Sequence, residues 1–134
     1  MRNSLIKTFF RWWVKPDKAI VAGVTLFNQN MYREALLKFE EPWQKSYGQR
    51  ERFLRGLIQV AGTYHHWKEG RRESVLVLCV SSQDLLYHYP SDYLGVNVLE
   101  LRVQLAQTEK LLRKNATFEE SSIYQGLFPG ITFK

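Results

Sequence analysis

Cysteine is nearly missing from this chain of 134 residues: Cys79 stands alone, so no disulfide can close within it. That fits a reducing compartment, and inside its apolar run Cys79 reads as a small buried hydrophobe before a nucleophile. Long apolar runs are missing too: none approaches the ~18 residues of a membrane span. The start lacks the aliphatic core and small-residue cleavage site of a secretory signal. A cytoplasmic location is therefore expected, and the Asn115-Ala116-Thr117 sequon carries no weight without a secretory route. No nucleophile elbow, phosphate loop, zinc-ligand spacing or dinucleotide fingerprint occurs. No repeat, low-complexity tract or linker divides the chain. Acid is missing from the first stretch: Met1–Lys15 holds four basic residues, and the first acid is Asp17.

What is present describes a globular domain. Hydrophobic residues make up 45% and aromatics 14% of the chain, enough for a real core in one domain. Lys and Arg outnumber Asp and Glu by 19 to 13, giving +6. That surplus permits contact with nucleic acid, anionic lipid or an acidic protein, and serves equally for solubility alone.

The longest helical pattern is Glu51–Gly70. At 100° per residue, Phe53, Leu54, Leu57, Ile58, Val60, Ala61 and Tyr64 fill one broad arc. Arg52, Arg55, Gln59, Thr63 and His66 fall on the opposite stripe. So wide an apolar face implies burial against several partners, and this segment is expected to be the central helix.

Four further helices are expected around it. Asp17–Asn28 carries an inner stripe of Ile20, Val24 and Phe27, and Asn28-Gln29-Asn30 forms a turn because Asn tolerates left-handed backbone. Met31–Glu41 buries Tyr32, Ala35, Leu36 and Phe39, leaves Leu37 on the outer face, and should end or kink at Pro42. A loop spans Ser46–Gln49, and Gly70 caps the central helix. Arg72–His88 reads as a helix with Val75, Leu78, Cys79, Ser82, Leu85 and Leu86 inward, although Val75–Val80 alone would suit a buried strand. Gly95-Val96-Asn97 is a turn with Asn97 as cap. Val98–Lys114 follows, with Val98, Leu101, Leu105 and Leu112 as its seam, and Asn115 ends it.

The reading is an all-α, compact single-domain bundle of about five helices over 16–115, with extensions at 1–15 and 116–134. Both extensions are aromatic. Phe9, Trp12 and Trp13 at one end and Phe128 at the other, with Leu37, are the candidate interaction residues. Left exposed, such clusters would drive association, so each extension packs on the bundle, on a second copy or on another protein. The bundle is expected to close without them.

Three stretches resemble one family, the bacterial and plastid helical proteins classed as domain-of-unknown-function family 309. They are Gly23–Trp43, Phe53–Gly70 with its Gly56-Leu57-Ile58-Gln59-Val60-Ala61 core, and Gly95-Val96-Asn97-Val98. The resemblance implies a compact helical bundle, admits a plastid stroma beside the cytoplasm as location, and brings no established activity. It also implies a polar cluster, of which Glu34, Glu40, Trp43, Gln59 and His66 are present here as candidate ligand-binding residues. The family's His-Glu pair is replaced by Leu36-Leu37, and the Asn after the central helix's closing glycine by Arg71.

His66 with Glu40 would make an acid–base pair or two metal ligands. A zinc site needs at least three protein ligands, and with Leu36 and Leu37 in place a third is lacking. A structural hydrogen bond between helices explains the pair more simply, so neither metal nor cofactor is expected and no catalytic residue is assigned. The basic residues Arg50, Arg52, Arg55, Lys68, Arg71 and Arg72 are interleaved with Glu51, Glu69 and Glu73, the pattern of a solvated ion-pair face. A non-catalytic binding or assembly module, partnered by another protein or by itself, leads. Two alternatives stand beside it: a small-molecule or metal-binding protein or enzyme using Glu40, Gln59 and His66, and a peripheral membrane or nucleic-acid binder using the basic N-terminus.

Overall fold

The protein is seen in a computed structural model that describes residues 17–120 and 129–133. Five long helices and a two-residue-per-strand hairpin are the main elements of the described residues, and a further helical turn begins at Phe118. Helix α1 spans Lys18–Asn28, and the Asp17 carboxylate caps it by accepting from the Ala19 amide at 2.9 Å. Ile20, Val24 and Phe27 are buried along its inner stripe, as the periodicity requires.

Helix α2 spans Tyr32–Gln44 and contains Pro42, so it runs past the expected stop. Pro42 lies in the last turn. There its missing N–H forfeits a single bond, while its carbonyl accepts from the Lys45 amide and, at 2.6 Å, from the Ser46 hydroxyl. Helix α3 spans Gly48–Lys68 and starts earlier than the pattern indicated. Gly48 enters it at φ +65°, a conformation open to glycine, which shortens the expected loop. Helix α4 spans Arg72–Tyr87, so Val75–Val80 is helical and not a strand. Strands β1 (Asp92–Tyr93) and β2 (Val96–Asn97) pair antiparallel around Leu94-Gly95, both at positive φ. Helix α5 spans Val98–Arg113, and the Asn97 side chain accepts from the Glu100 amide at 3.1 Å.

Three helices end in the same way, with a left-handed residue just past the cap. Asn30, Gly70 and Asn115 take φ 62°, 76° and 59°. Each puts its own amide and the next one onto carbonyls of the last turn. At Gly70 these are Gly70 N–H to the Trp67 carbonyl at 3.0 Å and Arg71 N–H to the His66 carbonyl at 2.9 Å.

Helices packed in chain order leave α3 between α2 and α4, the central place its apolar arc called for. Close approaches are made at glycines. A Cβ on Gly23 would stand 2.4 Å from the Phe39 ring, and one on Gly56 would stand 3.1 Å from Leu86. One core joins all five helices, and Phe27, Tyr32, Tyr64, Trp67 and Phe118 form a continuous chain of ring contacts through it.

Two expectations are corrected here. The polar stripe of α3 is real only at its first turns, where Arg52 and Arg55 are exposed. Thr63 is fully buried, because Leu36 from α2 and Leu78 from α4 both close over Gly62 beside it. The other correction concerns the C-terminal segment. Phe118 and Ile131 belong to the core. The Asn28 side chain donates to the Ile131 carbonyl at 2.9 Å and accepts from its amide at 2.8 Å. Thr132 and Phe133 then run along the edge of β2. The described part of this segment therefore packs on the bundle. Met1–Lys15, with Phe9, Trp12 and Trp13, and Phe128 lie outside the described residues. Among the described residues no helix is long and apolar enough to cross a membrane.

Candidate functional site

The five candidate ligand-binding residues sit on α2 and α3. Trp43 is engaged in the fold: its indole N–H donates to the Glu51 carboxylate at 2.9 Å, tying the end of α2 to the start of α3. Arg55 donates to the same carboxylate oxygen. The Arg55 guanidinium, aided by the Trp43 indole, holds the Glu51 carboxyl below its usual range. Glu34 is exposed in the first turn of α2, where the helix dipole favours an acid. Glu40 is half-buried.

His66 does not meet Glu40. Its Nδ1 lies 3.3 Å from the Arg71 guanidinium, in the turn after its own helix. Burial, then the neighbouring His65 and Arg71 charges, push its pKa down, and because a guanidinium can only donate, Nδ1 is the acceptor of this contact. Helical geometry explains the separation. Leu36 packs over Gly62, and α2 and α3 run antiparallel across a short turn. Glu40 lies one turn beyond Leu36 in one direction and His66 one turn beyond Gly62 in the other. At ~1.5 Å of rise per residue, about 12 Å of helix axis separates them. They can share neither a proton nor a metal ion. Among the described residues no group of three or more His, Cys, Asp or Glu side chains could hold a metal.

Gln59 falls near the level of Glu40, and its amide oxygen is fully buried without a hydrogen-bond partner. Such an oxygen destabilises the fold. It lies on the α3 face that Leu36 and Leu78 cover. The leucine at position 36 offers no donor to it.

Cys79 is buried, and its thiol, which donates to the Leu105 carbonyl at 3.5 Å, is pushed up to about 12 by burial and then by the Glu109 charge. A thiol so protonated is a poor nucleophile. The basic residues are mostly engaged. Arg50 pairs with Asp17 at 2.7 Å, Arg55 with Glu51, and Arg72 donates to the Asn115 side chain at 2.9 Å.

An exposed apolar surface lies elsewhere, on α4 and α5. There a depression of about 370 Å³ is lined by Gln83, Asp84, Tyr87, Leu99, Arg102 and Val103. Tyr87 is 65% exposed, Leu99 50% and Val103 51%. Arg102 stands over the Tyr87 ring, 5.0 Å from its centroid. The sequence carried a signal for this face: Leu99, Val103 and Ala106 form a second apolar stripe beside the buried seam of α5. Leu37, on α2, is 51% exposed, as its outward phase required.

Residues 20–78 match the family model described as Domain of unknown function (DUF309). The match spans α1 to α3 and the first part of α4, supporting the resemblance carried by Gly23–Trp43 and Phe53–Gly70. The Gly95–Val98 stretch lies beyond the matched residues. No curated protein matches the chain.

Proposed function

We propose that the protein is a non-catalytic helical binding module that docks another protein chain, a second copy or a different partner, on the outer face of α4 and α5. The observation that carries this reading is the apolar cluster of Tyr87, Leu99 and Val103, left half or more exposed around one depression. Apolar residues gathered around one recess gain most from a partner that removes them from water. Arg102, already stacked on Tyr87, supplies the polar anchor that interfaces commonly use. Leu37 and the aromatic Met1–Lys15 segment, with Phe9, Trp12 and Trp13, add contact surface in this proposal, as does Phe128. The place of action is the cytoplasm or a plastid stroma.

Catalysis by Glu40, Gln59 and His66 draws no support from their geometry, since Glu40 and His66 stand about two turns apart. Nucleic-acid or lipid binding by Arg50, Arg55 and Arg72 is weakened by their intramolecular pairing, while the basic N-terminus that the third reading uses lies outside the described residues. The test is co-purification from the native host. Tagged full chain should retain a stoichiometric partner, or untagged copies of itself. Leu99→Lys with Val103→Lys should release it, whereas Glu40→Ala with His66→Ala should not. Retention by the first variant and loss by the second would overturn the proposal.

A further inference from the structure

A second cavity, of about 420 Å³, lies on the other flank of α4. Arg52 and Gln49 from the first turns of α3 form one wall; Asp84, Leu85 and His88 from the last turns of α4 form the other. Tyr89 and Pro90 close one end, and Ser81 adds a hydroxyl. The size falls at the lower end of small-ligand pockets.

Its charges are unusual. Two of the three cations at the start of α3 have a carboxylate: Arg50 has Asp17 and Arg55 has Glu51. Arg52 has none among the described residues, and acts on Glu51 and Tyr89 only as a nearby charge. Asp84 likewise makes neither hydrogen bond nor ion pair among the described residues, yet both line this one cavity. Opposite charges that share a cavity without closing on each other leave a gap between them. The helix ends reinforce the same polarity. The N-terminus of α3 has no side-chain cap and presents its positive end beside Arg52. The C-terminus of α4 presents its negative end one turn past Asp84. Between the two charges lie Leu85 and the Tyr89 ring, both half-buried. The Tyr89 hydroxyl already donates to the Gln49 carbonyl, which fixes that wall in place.

We propose that this cavity binds a small zwitterion of the free amino-acid type with an apolar side chain. Its carboxylate would meet Arg52, its ammonium Asp84, and its side chain Leu85, Tyr89 and Pro90. A simple anion would face Asp84 and a simple cation would face Arg52, so each half-ligand meets a repulsive charge. The proposal stands apart from the docking face: Asp84 borders both depressions, but Arg52 and His88 border only this one.

The test titrates L-leucine, L-methionine and L-phenylalanine into the isotope-labelled full chain, followed by amide chemical shifts. Saturable shifts at Arg52, Leu85 and His88 are expected in the millimolar range or tighter. Two half-ligands, 4-methylpentanoate and 3-methylbutylamine, should bind about tenfold more weakly or worse, the usual consequence of losing one charge-assisted contact. Arg52→Gln and Asp84→Asn should each weaken L-leucine by a similar factor. Both side chains are exposed and, among the described residues, unpartnered, so thermal unfolding should not change. The proposal is overturned if none of the three amino acids saturates these shifts. It is equally overturned if either half-ligand binds as well as L-leucine, or if both variants bind L-leucine like the parent.

Discussion

The first three helices and the last two use their side chains in opposite ways. In α1 to α3 several of the residues with chemical potential are drawn into the fold. Trp43 clasps Glu51, His66 accepts from Arg71, and Thr63 donates to the Gln59 carbonyl. Helices approach closely there, so that Gly23 has no room for a single methyl beside Phe39. In α4 and α5 the inner seam is just as well buried, but the outer face keeps Tyr87, Leu99 and Val103 in water. Of the polar residues at family-like positions, Trp43 and His66 are tied into the structure. The surface with something left to gain lies largely outside the matched residues.

That contrast can be broken most readily by truncating one side chain on each side of it. Leu57→Ala, in the fully buried arc of α3, should destabilise by ~2–5 kcal/mol. Val103→Ala, on the open face of α5, should stay within ~0.5 kcal/mol. Chemical denaturation measures both, and similar losses would mean that the outer face is part of the core.

Next in size is Gly23→Ala. A methyl there gains up to ~1 kcal/mol of helix propensity. It also meets the Phe39 ring at less than 3 Å, an overpacking that costs ~1–3 kcal/mol. A net loss in thermal stability is expected; a gain would show that α1 and α2 can move apart.

Asp17→Ala should cost ~1 kcal/mol as a lost cap, with solvent screening trimming the share from Arg50. The Ala19 amide and Arg50 hold the Asp17 carboxyl below its usual range. A depressed folded-state pKa gives stability that is full above the unfolded value, about 3.9, and is lost as pH falls through the folded value. The gap between parent and variant should therefore close in acid and stay constant near neutrality. Smallest of all is Gln59→Met. It removes the unpartnered buried oxygen at nearly constant volume, so stability should hold or rise slightly. A marked loss would reveal a partner for that amide.

Much of this architecture was legible in the chain. Period 3.6 placed Ile20, Val24 and Phe27, and later Val98, Leu101, Leu105 and Leu112, on buried faces. Asn30, Gly70 and Asn115 were readable as stops because each tolerates left-handed backbone. What escaped depended partly on local backbone detail and partly on tertiary partners. Pro42 was tolerated because only the last turn followed it, and Gly48 began a helix because positive φ was open to it. The burial of Thr63 needed Leu36 and Leu78 from two other helices. The docking of Ile131 on Asn28 spans 103 residues, beyond any local pattern. Of the candidate ligand-binding residues, the types and the helices were legible. Their mutual distance was not, because it depends on how α2 is offset along α3.

The most direct test of the contrast is site-specific photocrosslinking in the native host, with the reactive side chain placed at Val103 in one version of the full chain and at Glu34 in another. Both positions are exposed. A discrete protein adduct, with a partner or a second copy, is expected from position 103 and none from position 34. An adduct from position 34 alone would contradict it and return function to the α2–α3 side.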